Sequence, residues 1–283
     1  MPGLAESIAL NLRVTKRLVP RRGASLRERL GPLDDRLVFV VGSPRSGTTF
    51  LASVIGSVPG FVDLGEVAPV KAAVPDLAAL EPDEAARRLR RTLTVARRAG
   101  LVGSVRAVEQ TPEVAHLLRA VPIAYPEARI VHMVRDGRDV VCSLLDKRWL
   151  RPAQTETDDA GLAYGSYARF WVEPDRRAEF EQVSDARRAA WVWRAYLGAV
   201  RASGVPVHEI RYERMAESPE AVAVELASYL EAPAAPFVSA LGQVHAESVD
   251  RWRRDLDEAQ LADVMSEAGD LLRELGYVSS ASA

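Results

Sequence analysis

The 283-residue chain contains a single cysteine, Cys142, so it cannot form an intrachain disulfide bond. No segment meets the requirement of roughly 20 apolar residues for a membrane-spanning helix. Neither sign of charge dominates, because 37 basic and 39 acidic residues give a formal net charge of −2. These absences argue against a disulfide-stapled secreted domain and against a global basic field that would recruit nucleic acid. We therefore expect a cytoplasmic protein that binds no nucleic acid.

Lysine is also scarce, since it occurs only at Lys16, Lys71 and Lys147. Almost all of the 37 basic residues are therefore arginine. Anion binding in this chain is expected to fall to guanidinium groups and backbone N–H groups. The remaining composition, 48% apolar and 27% charged, is that of an ordinary globular protein.

Residues 1–35 form a predicted basic arm. Seven basic residues stand against one acidic residue between positions 13 and 29, and an apolar core typical of a secretory signal is missing. Four apolar residues fall near one face of a predicted helix: Leu4, Ile8, Leu12 and Leu18. Two interpretations stay open, a solvated arm that packs over the domain and a weak contact with an anionic membrane surface or acidic acceptor.

From residue 37 onward, apolar runs typical of buried strands alternate with helical patterns. The predicted strands cover residues 37–41, 61–64, 105–109, 129–134 and 205–210. Helices are predicted at residues 49–58, 85–99, 112–118, 186–202, 219–230 and 257–275, and in a segment that ends at residue 145. This alternation predicts an α/β fold, a three-layer parallel sheet with helices on both faces, in one domain over residues 36–283. Residues 146–185 lack periodicity and are interpreted as a variable insert, such as a lid or an acceptor-binding segment.

The sequence GSPRSGTT at residues 42–49 lies where a buried strand leads into a helix. That geometry points backbone N–H groups and the positive end of the helix dipole at one spot. Ser46, Thr48 and Thr49 add hydroxyl donors. The spacing matches the G-x-x-x-x-G-K-[ST] triphosphate loop, except that Thr48 occupies the lysine position. We therefore expect an anion site at which Arg45 supplies the charge and ordinary ATP or GTP hydrolysis is disfavoured.

Residues 43–49 resemble the 5′-phosphosulfate loop of sulfotransferases that use 3′-phosphoadenosine 5′-phosphosulfate (PAPS). The resemblance implies a sulfotransferase fold of the P-loop NTPase-like type. It also implies that the loop residues bind PAPS and that Arg45 has a catalytic role as well. The implied PAPS-binding residues are Arg45, Ser46, Gly47, Thr48 and Thr49.

A second predicted anion site follows the strand at residues 129–134. Arg135 stands at the carboxyl end of that strand, the edge at which open parallel sheets bind ligands, and Asp136 is a predicted helix N-cap. A Walker-B strand would place an aspartate for Mg²⁺ at this point, so the predicted ligand is an anion and no metal is expected. The alternative is that Arg135 and Arg138 pair with Asp136 and Asp139 in surface salt bridges.

Residues 133–143 resemble the 3′-phosphate segment of the same family. In that segment an arginine and a serine eight residues apart bind the ribose 3′-phosphate, and Arg135 and Ser143 have this spacing. The match is closest to the tyrosylprotein and carbohydrate-type branch, together with bacterial sulfotransferases. The resemblance implies that Arg135 and Ser143 bind PAPS.

Transfer of a sulfuryl group to a hydroxyl requires a base for the acceptor proton. Residues 61–66 resemble the family segment in which a Gly-Glu carboxylate is that base, which implies a catalytic role for Glu66. The alternative for Glu66 is a solvated loop carboxylate. His116 and His132 are rival bases, but packing roles are expected for both of them.

Gln110 stands where many relatives carry a lysine. Three interpretations of this departure stay open. Arg45 supplies the positive charge in place of the lysine, or turnover is slower than in relatives that have the lysine, or Gln110 is not the residue equivalent to that lysine. We favour the first interpretation.

Two downstream segments also resemble parts of the family's nucleotide site. Residues 210–213 resemble the strand-end segment near the adenine, in which a tyrosine commonly stacks, and this implies a nucleotide contact for Tyr212. Residues 248–253 resemble a loop that folds over the nucleotide, which implies that Ser248 and one of Arg251 and Arg253 contact it. The spacing does not say which arginine does so. The alternative is a surface helix start for both arginines and core packing for Trp252.

Together these patterns predict a PAPS-dependent sulfotransferase that transfers a sulfuryl group to a carbohydrate, glycolipid, phenol or tyrosine hydroxyl. The acceptor would be a small molecule, a glycan or a lipid, in a pocket shaped by aromatic residues of the insert: Trp149, Tyr164, Tyr167, Phe170 and Trp171. Two alternatives remain, a degenerate P-loop kinase or NTPase and a non-catalytic nucleotide-binding module.

Overall fold

The computed structural model describes residues 29–147, 150, 172, 174–242, 244 and 246–279. Residues 1–28 of the predicted basic arm and most of the predicted insert, with its five aromatic residues, lie outside the described residues. The predictions made for those segments therefore stay predictions.

Five parallel strands form the sheet of the described part of the chain. They are β1 (Val38–Gly42), β2 (Phe61–Gly65), β3 (Arg106–Glu109), β4 (Arg129–Val134) and β5 (His208–Arg211). Their spatial order is β2-β3-β1-β4-β5. The predicted strands are confirmed, with boundaries that shift by a few residues.

Helices cover both faces of the sheet. The α-helices are α1 (Thr48–Ser57), α2 (Ala68–Ala78), α3 (Pro82–Ala99), α4 (Val121–Ala124), α5 (Gly137–Leu145), α6 (Arg177–Gln182), α7 (Asp185–Ala202), α8 (Tyr212–Glu217), α9 (Pro219–Leu230), α10 (Ala234–Leu241), α11 (Trp252–Asp255) and α12 (Glu258–Glu274). Short 3₁₀ helices are Pro112–Ala120, Pro174–Arg176 and Ala246–Ser248. None of the described helices is long and apolar enough to span a lipid bilayer.

The central strand β1 is buried along its whole length and separates two apolar cores. Phe39 and Val41 contribute to the core formed with α3 and α7, whereas Val38 and Val40 contribute to the core formed with α1 and α9. This alternation follows from the two-residue period of side chains along a strand. A helix layer on each face is the three-layer α/β architecture that the sequence predicts.

The strand order places a topological switch point between β1 and β4. The chain leaves β1 toward β2 on one side of the sheet, and it leaves β4 toward β5 on the other side. The two strands are in register at their carboxyl ends, where Gly42 pairs with Met133. Because ligands of open α/β sheets bind in the crevice at such a point, the segments that follow Gly42 and Val134 lie at the expected place for a site.

Candidate active site

The segment after β1 folds into a tight loop that leads into α1. The Ser46 backbone N–H and the Ser46 hydroxyl both donate to the Ser43 carbonyl, over 3.1 and 2.6 Å. Arg45 has a left-handed backbone with φ of 71°. Ser46 is fully buried, so its hydroxyl shapes the loop. Arg45, Gly47, Thr48 and Thr49 instead line a cavity on the outer side of the loop.

Helix α1 begins at this cavity without a side-chain cap. Its N-cap is Gly47, which makes no side-chain hydrogen bond to the first turn, and the first turn carries no acidic residue. The first N–H groups of a helix need acceptors from outside the helix, and together with the helix dipole they favour an anion. The start of α1 is therefore suited to bind a phosphate or phosphosulfate group.

Gly47 is required at this position by both its backbone and its surroundings. Its φ is 102°, a conformation that residues with a Cβ atom rarely adopt. A Cβ atom on Gly47 would lie 2.9 Å from Cδ2 of Tyr212 and 3.2 Å from Cε of Met133. Tyr212 follows directly after β5 and lines the same cavity. The ring thus packs against the loop and forms one wall of the site.

Arg135 connects the two predicted anion sites. Its Nη1 donates to the Arg45 carbonyl over 3.3 Å, and its Nη2 donates to the Ser248 carbonyl over 2.5 Å. The guanidinium carbon lies 4.4 Å from the centre of the Tyr212 ring. Nε of Arg135 is buried, and within the described part of the chain it has no acceptor. A buried charged donor without an acceptor suits an incoming anion oxygen.

Arg138 pairs with Asp136 as the salt-bridge alternative expects, but in the interior and not at the surface, whereas Arg135 donates to two backbone carbonyls. Nη2 of Arg138 lies 2.6 Å from Oδ2 of Asp136, and this pair is buried. Asp136 also accepts the Arg138 backbone N–H, which confirms it as the N-cap of α5. The residues of this motif therefore have two different roles. Arg135 faces the cavity, and the Asp136–Arg138 pair stabilises the start of the helix.

Ser143, on α5, lies opposite the loop and lines the same cavity. Nε of Arg45 donates to its hydroxyl over 3.0 Å, across 98 residues of sequence. The structure thus brings the two predicted anion sites into one cavity of about 380 Å³ at the carboxyl edge of the sheet. Phe50, Asp146 and Lys147 also line this cavity, and the sequence analysis did not assign them to the site.

The segment of residues 248–253, called the covering segment below, closes one side of this cavity. Ser248 and Arg251 line it, and Arg251 is held by Asp146 at 3.0 Å and by Asp255 at 2.7 Å. The Arg253 side chain is 64% exposed, lies outside the cavity lining and pairs with Asp250. The structure therefore places Arg251 at the cavity and Arg253 in solvent.

Glu66 lies outside the lining of this cavity, in a cluster of ionisable groups. Its Oε2 accepts a hydrogen bond of 2.7 Å from Nζ of Lys71, whose side chain is only 5% exposed. The same ammonium lies 3.7 Å from Oε1 of Glu113, which is fully buried. Burial also raises the pKa of the nearby Glu109 carboxyl to about 8. Glu66 is thus an ion-paired carboxylate, partly open to solvent at 27% exposure.

Gln110 connects the Glu66 segment to the anion-binding loop. Its side-chain oxygen accepts a hydrogen bond of 3.3 Å from the Thr49 hydroxyl. Its backbone N–H donates to the carbonyl of Gly65, the residue before Glu66, over 3.4 Å. The buried Gln110 therefore links the anion-binding loop to the segment that carries Glu66.

The two rival histidines are packed into the fold. Burial lowers the pKa of His116 to about 3 and that of His132 to about 4. The His116 ring lies edge-on to Tyr196 with 4.8 Å between ring centres, and His132 lies within the buried strand β4. Both rings are neutral at physiological pH and lie outside the lining of the cavity.

Lys71 is the main residue near the site that sequence reasoning missed. The sequence analysis noted Lys71 only as one of three lysines, and its partner Glu113 is distant in sequence and had no assigned role. Among the described residues, no group of three or more His, Cys, Asp or Glu side chains is arranged to hold a metal ion.

Comparison with known proteins agrees with this architecture. A model of the sulfotransferase family matches residues 98–236, about half of the chain, including Arg135 and Ser143. The sulfotransferase domain from the curacin biosynthetic pathway has a TM-score of 0.52 at 13% identity, over 82% of this chain and 97% of its own. A sulfotransferase from Alicyclobacillus acidocaldarius has a TM-score of 0.51 at 17% identity, over 85% of this chain and 94% of its own. No curated protein matches the chain.

At these identities the structural likeness shows the shared fold, and the family match covers the strand and helix that carry the second anion site. The chain therefore has the fold of sulfotransferases, and just under half of it, residues 98–236, matches the sulfotransferase family.

Proposed function

We propose that the chain transfers the sulfuryl group of PAPS to the hydroxyl of a carbohydrate, glycolipid, phenol or tyrosine acceptor, with Glu66 as general base. One observation carries the proposal. A single cavity at the switch point of the sheet is lined by residues from both predicted anion sites, including Arg45, Thr48, Arg135 and Ser143. A doubly phosphorylated adenosine offers one anionic group to each site.

The donor set of the cavity fits this ligand. Nε of Arg135 is buried without an acceptor among the described residues, and the start of α1 has no side-chain cap. We assign the 5′-phosphosulfate to Arg45, Thr48, Thr49 and the start of α1. We assign the ribose 3′-phosphate to Arg135 and Ser143. Arg251 and the remaining predicted contacts, Gly47, Tyr212 and Ser248, would complete the nucleotide site.

The chemistry then requires little beyond positioning, charge stabilisation and one proton acceptor. When bound, PAPS supplies the sulfuryl group. The acceptor oxygen attacks sulfur while its proton passes to Glu66, and the bond from sulfur to the phosphate oxygen breaks. Lys71 engages Oε2 of Glu66, which leaves Oε1 to take the proton. Arg45 and the first N–H groups of α1 stabilise the negative charge that develops on the departing adenosine 3′,5′-bisphosphate.

The role of Glu66 is tested by the Glu66→Gln variant, with Glu81→Gln on the surface as the control for loss of a carboxylate. With PAPS and a panel of acceptors, we expect Glu66→Gln to lower turnover at least ~10²-fold, the range of a lost general base. The affinity for adenosine 3′,5′-bisphosphate should stay the same in both variants. Normal turnover of Glu66→Gln would rule out Glu66 as the base.

The donor class is tested by thermal shift with adenosine 3′,5′-bisphosphate, ATP and GTP, each with and without Mg²⁺. We expect stabilisation by the bisphosphate that does not depend on the metal. Stabilisation by ATP that requires Mg²⁺ would favour a kinase or NTPase. Binding of the bisphosphate without sulfuryl transfer to any acceptor would favour a non-catalytic module.

A further inference from the structure

Asp139 lies on α5, one helical turn before Ser143, and its side chain is almost completely buried. Both of its carboxylate oxygens accept hydrogen bonds from the backbone of the covering segment. Oδ2 accepts the Asp250 N–H over 2.9 Å, and Oδ1 accepts the Trp252 N–H over 3.0 Å. One carboxylate therefore holds two backbone groups that lie more than 100 residues away in sequence.

These two hydrogen bonds flank Arg251, the arginine of the covering segment that lines the cavity. The turn is an unusual one, because Asp250 has a left-handed backbone with φ of 57° although it is not a glycine. Arg253 follows the part of the segment that these two hydrogen bonds hold. Its N–H donates to the Asp250 carbonyl, and its side chain points into solvent. The carboxylate of Asp139 thus holds the backbone on both sides of Arg251.

Two neighbours of Asp139 hold the same segment. The Arg138 guanidinium lies 3.8 Å from the centre of the Trp252 ring, and Arg138 is itself fixed by Asp136. Arg135 donates to the Ser248 carbonyl. Three residues of one short motif therefore contact the covering segment at three points, from its first residue to Trp252.

We propose that Asp139 is a positioning residue for nucleotide binding, which acts by holding the covering segment closed over the cavity with Arg251 directed at the ligand. This inference rests on the proposed nucleotide site. Keeping a carboxylate buried costs free energy of desolvation, and burial raises the pKa of Asp139 to about 6. Its backbone hydrogen bonds offset this cost, and a segment ordered before binding has less conformational entropy to lose when the ligand arrives.

The test compares Asp139→Ala and Asp139→Asn with Asp250→Asn. Asp139→Ala removes both acceptors, whereas Asp139→Asn keeps the shape but turns an NH₂ group toward one backbone N–H. Asp250→Asn makes the same carboxylate-to-amide change on a side chain that is 58% exposed in the covering segment itself. Asparagine also tolerates the left-handed backbone of that position.

Hydrogen exchange of the nucleotide-free protein directly measures how strongly Asp139 protects the amides of Asp250 and Trp252. In Asp139→Ala we expect the amides of Asp250 and Trp252 to exchange at least ~10-fold faster, the effect of losing a hydrogen bond of roughly 1.4 kcal/mol. Asp250→Asn should exchange like the wild type. Unchanged exchange in Asp139→Ala would overturn the inference, and if that variant does not fold, the same reasoning applies to Asp139→Asn.

Calorimetry with adenosine 3′,5′-bisphosphate measures the effect of these substitutions on nucleotide affinity. We expect both Asp139 variants to bind it at least ~10-fold more weakly, with a raised KM for PAPS and a kcat within about twofold of the wild type. A merely structural role would lower kcat and the melting temperature without this separation. Wild-type affinity in the variants would refute the role of Asp139 alone, whereas a wild-type protein that does not bind the bisphosphate would refute the proposed nucleotide site as well.

Discussion

Replacing Arg135 by methionine should weaken nucleotide binding more than any change to an exposed arginine of the same sheet edge. Methionine keeps an unbranched side chain over the Tyr212 ring but removes the guanidinium. Three features of the wild-type side chain are lost together. They are the hydrogen bonds to the Arg45 and Ser248 carbonyls and the buried Nε that has no acceptor within the described part of the chain.

The magnitude follows from the charge-assisted bond that we assign to the 3′-phosphate. A hydrogen bond to a charged group contributes about 1.5–3 kcal/mol, which corresponds to a loss of affinity of roughly 10- to 150-fold. Loosening of the loop and the covering segment would add to this loss. The upper part of the range is expected because Arg135 is only 5% exposed, so solvent screens its charge weakly.

Isothermal titration calorimetry with adenosine 3′,5′-bisphosphate measures the effect, with Arg253→Met as the matched control. The Arg253 side chain is 64% exposed and lies outside the cavity lining, so its replacement should leave the affinity unchanged. An unchanged affinity in Arg135→Met, or an equal loss in both variants, would refute the assignment of Arg135 to the nucleotide.

Three further predictions concern Gly47 in the anion-binding loop, the buried carboxyl group of Glu109 and the pairing of Glu66 with Lys71. Gly47→Ala should lower both nucleotide affinity and melting temperature, whereas Gly60→Ala, which shares a positive φ but has open space around its Cβ position, should affect stability alone. An equal affinity in the two variants would refute the steric reasoning.

Glu109 has a folded-state pKa of about 8, above its ordinary value, so the native state retains a proton that the unfolded chain releases and stability falls as pH rises between those values. The melting temperature of Glu109→Gln should therefore fall less than that of the wild type between pH 5 and pH 8. An equal fall in the two proteins would contradict the burial argument. Lys71→Met should lower kcat without changing nucleotide affinity, whereas Lys71→Arg should keep most of the turnover. A normal kcat in Lys71→Met would show that the Glu66–Lys71 pair does not orient the base.

Local patterns predicted the elements that carry the site. The loop at residues 42–49 was recognisable because its glycine spacing and its place between a buried strand and a helix are sequence-local properties. The spacing of Arg135 and Ser143 was equally readable, since a strand end and the helix that follows it are joined by a short turn. The structure places all these segments at the switch point of a single sheet.

Features that depend on distant contacts or unusual turns were missed. Helix α2 contains Pro75 in its interior, a residue that normally ends a helical pattern, and the tertiary packing of its buried residues stabilises it despite this residue. Which of Arg251 and Arg253 lies at the cavity depends on the left-handed turn at Asp250 and on the hydrogen bonds accepted by Asp139, more than 100 residues away. No local pattern encodes either of these contacts.

The central claim, that two clusters of donors bind opposite ends of one nucleotide, is tested most directly by a crystal structure of the complex with adenosine 3′,5′-bisphosphate. The account predicts the 3′-phosphate within hydrogen-bonding distance of Arg135 and Ser143, and the 5′-phosphate at the first turn of α1. A nucleotide bound elsewhere, or one held by a single cluster with its second phosphate in solvent, would contradict it.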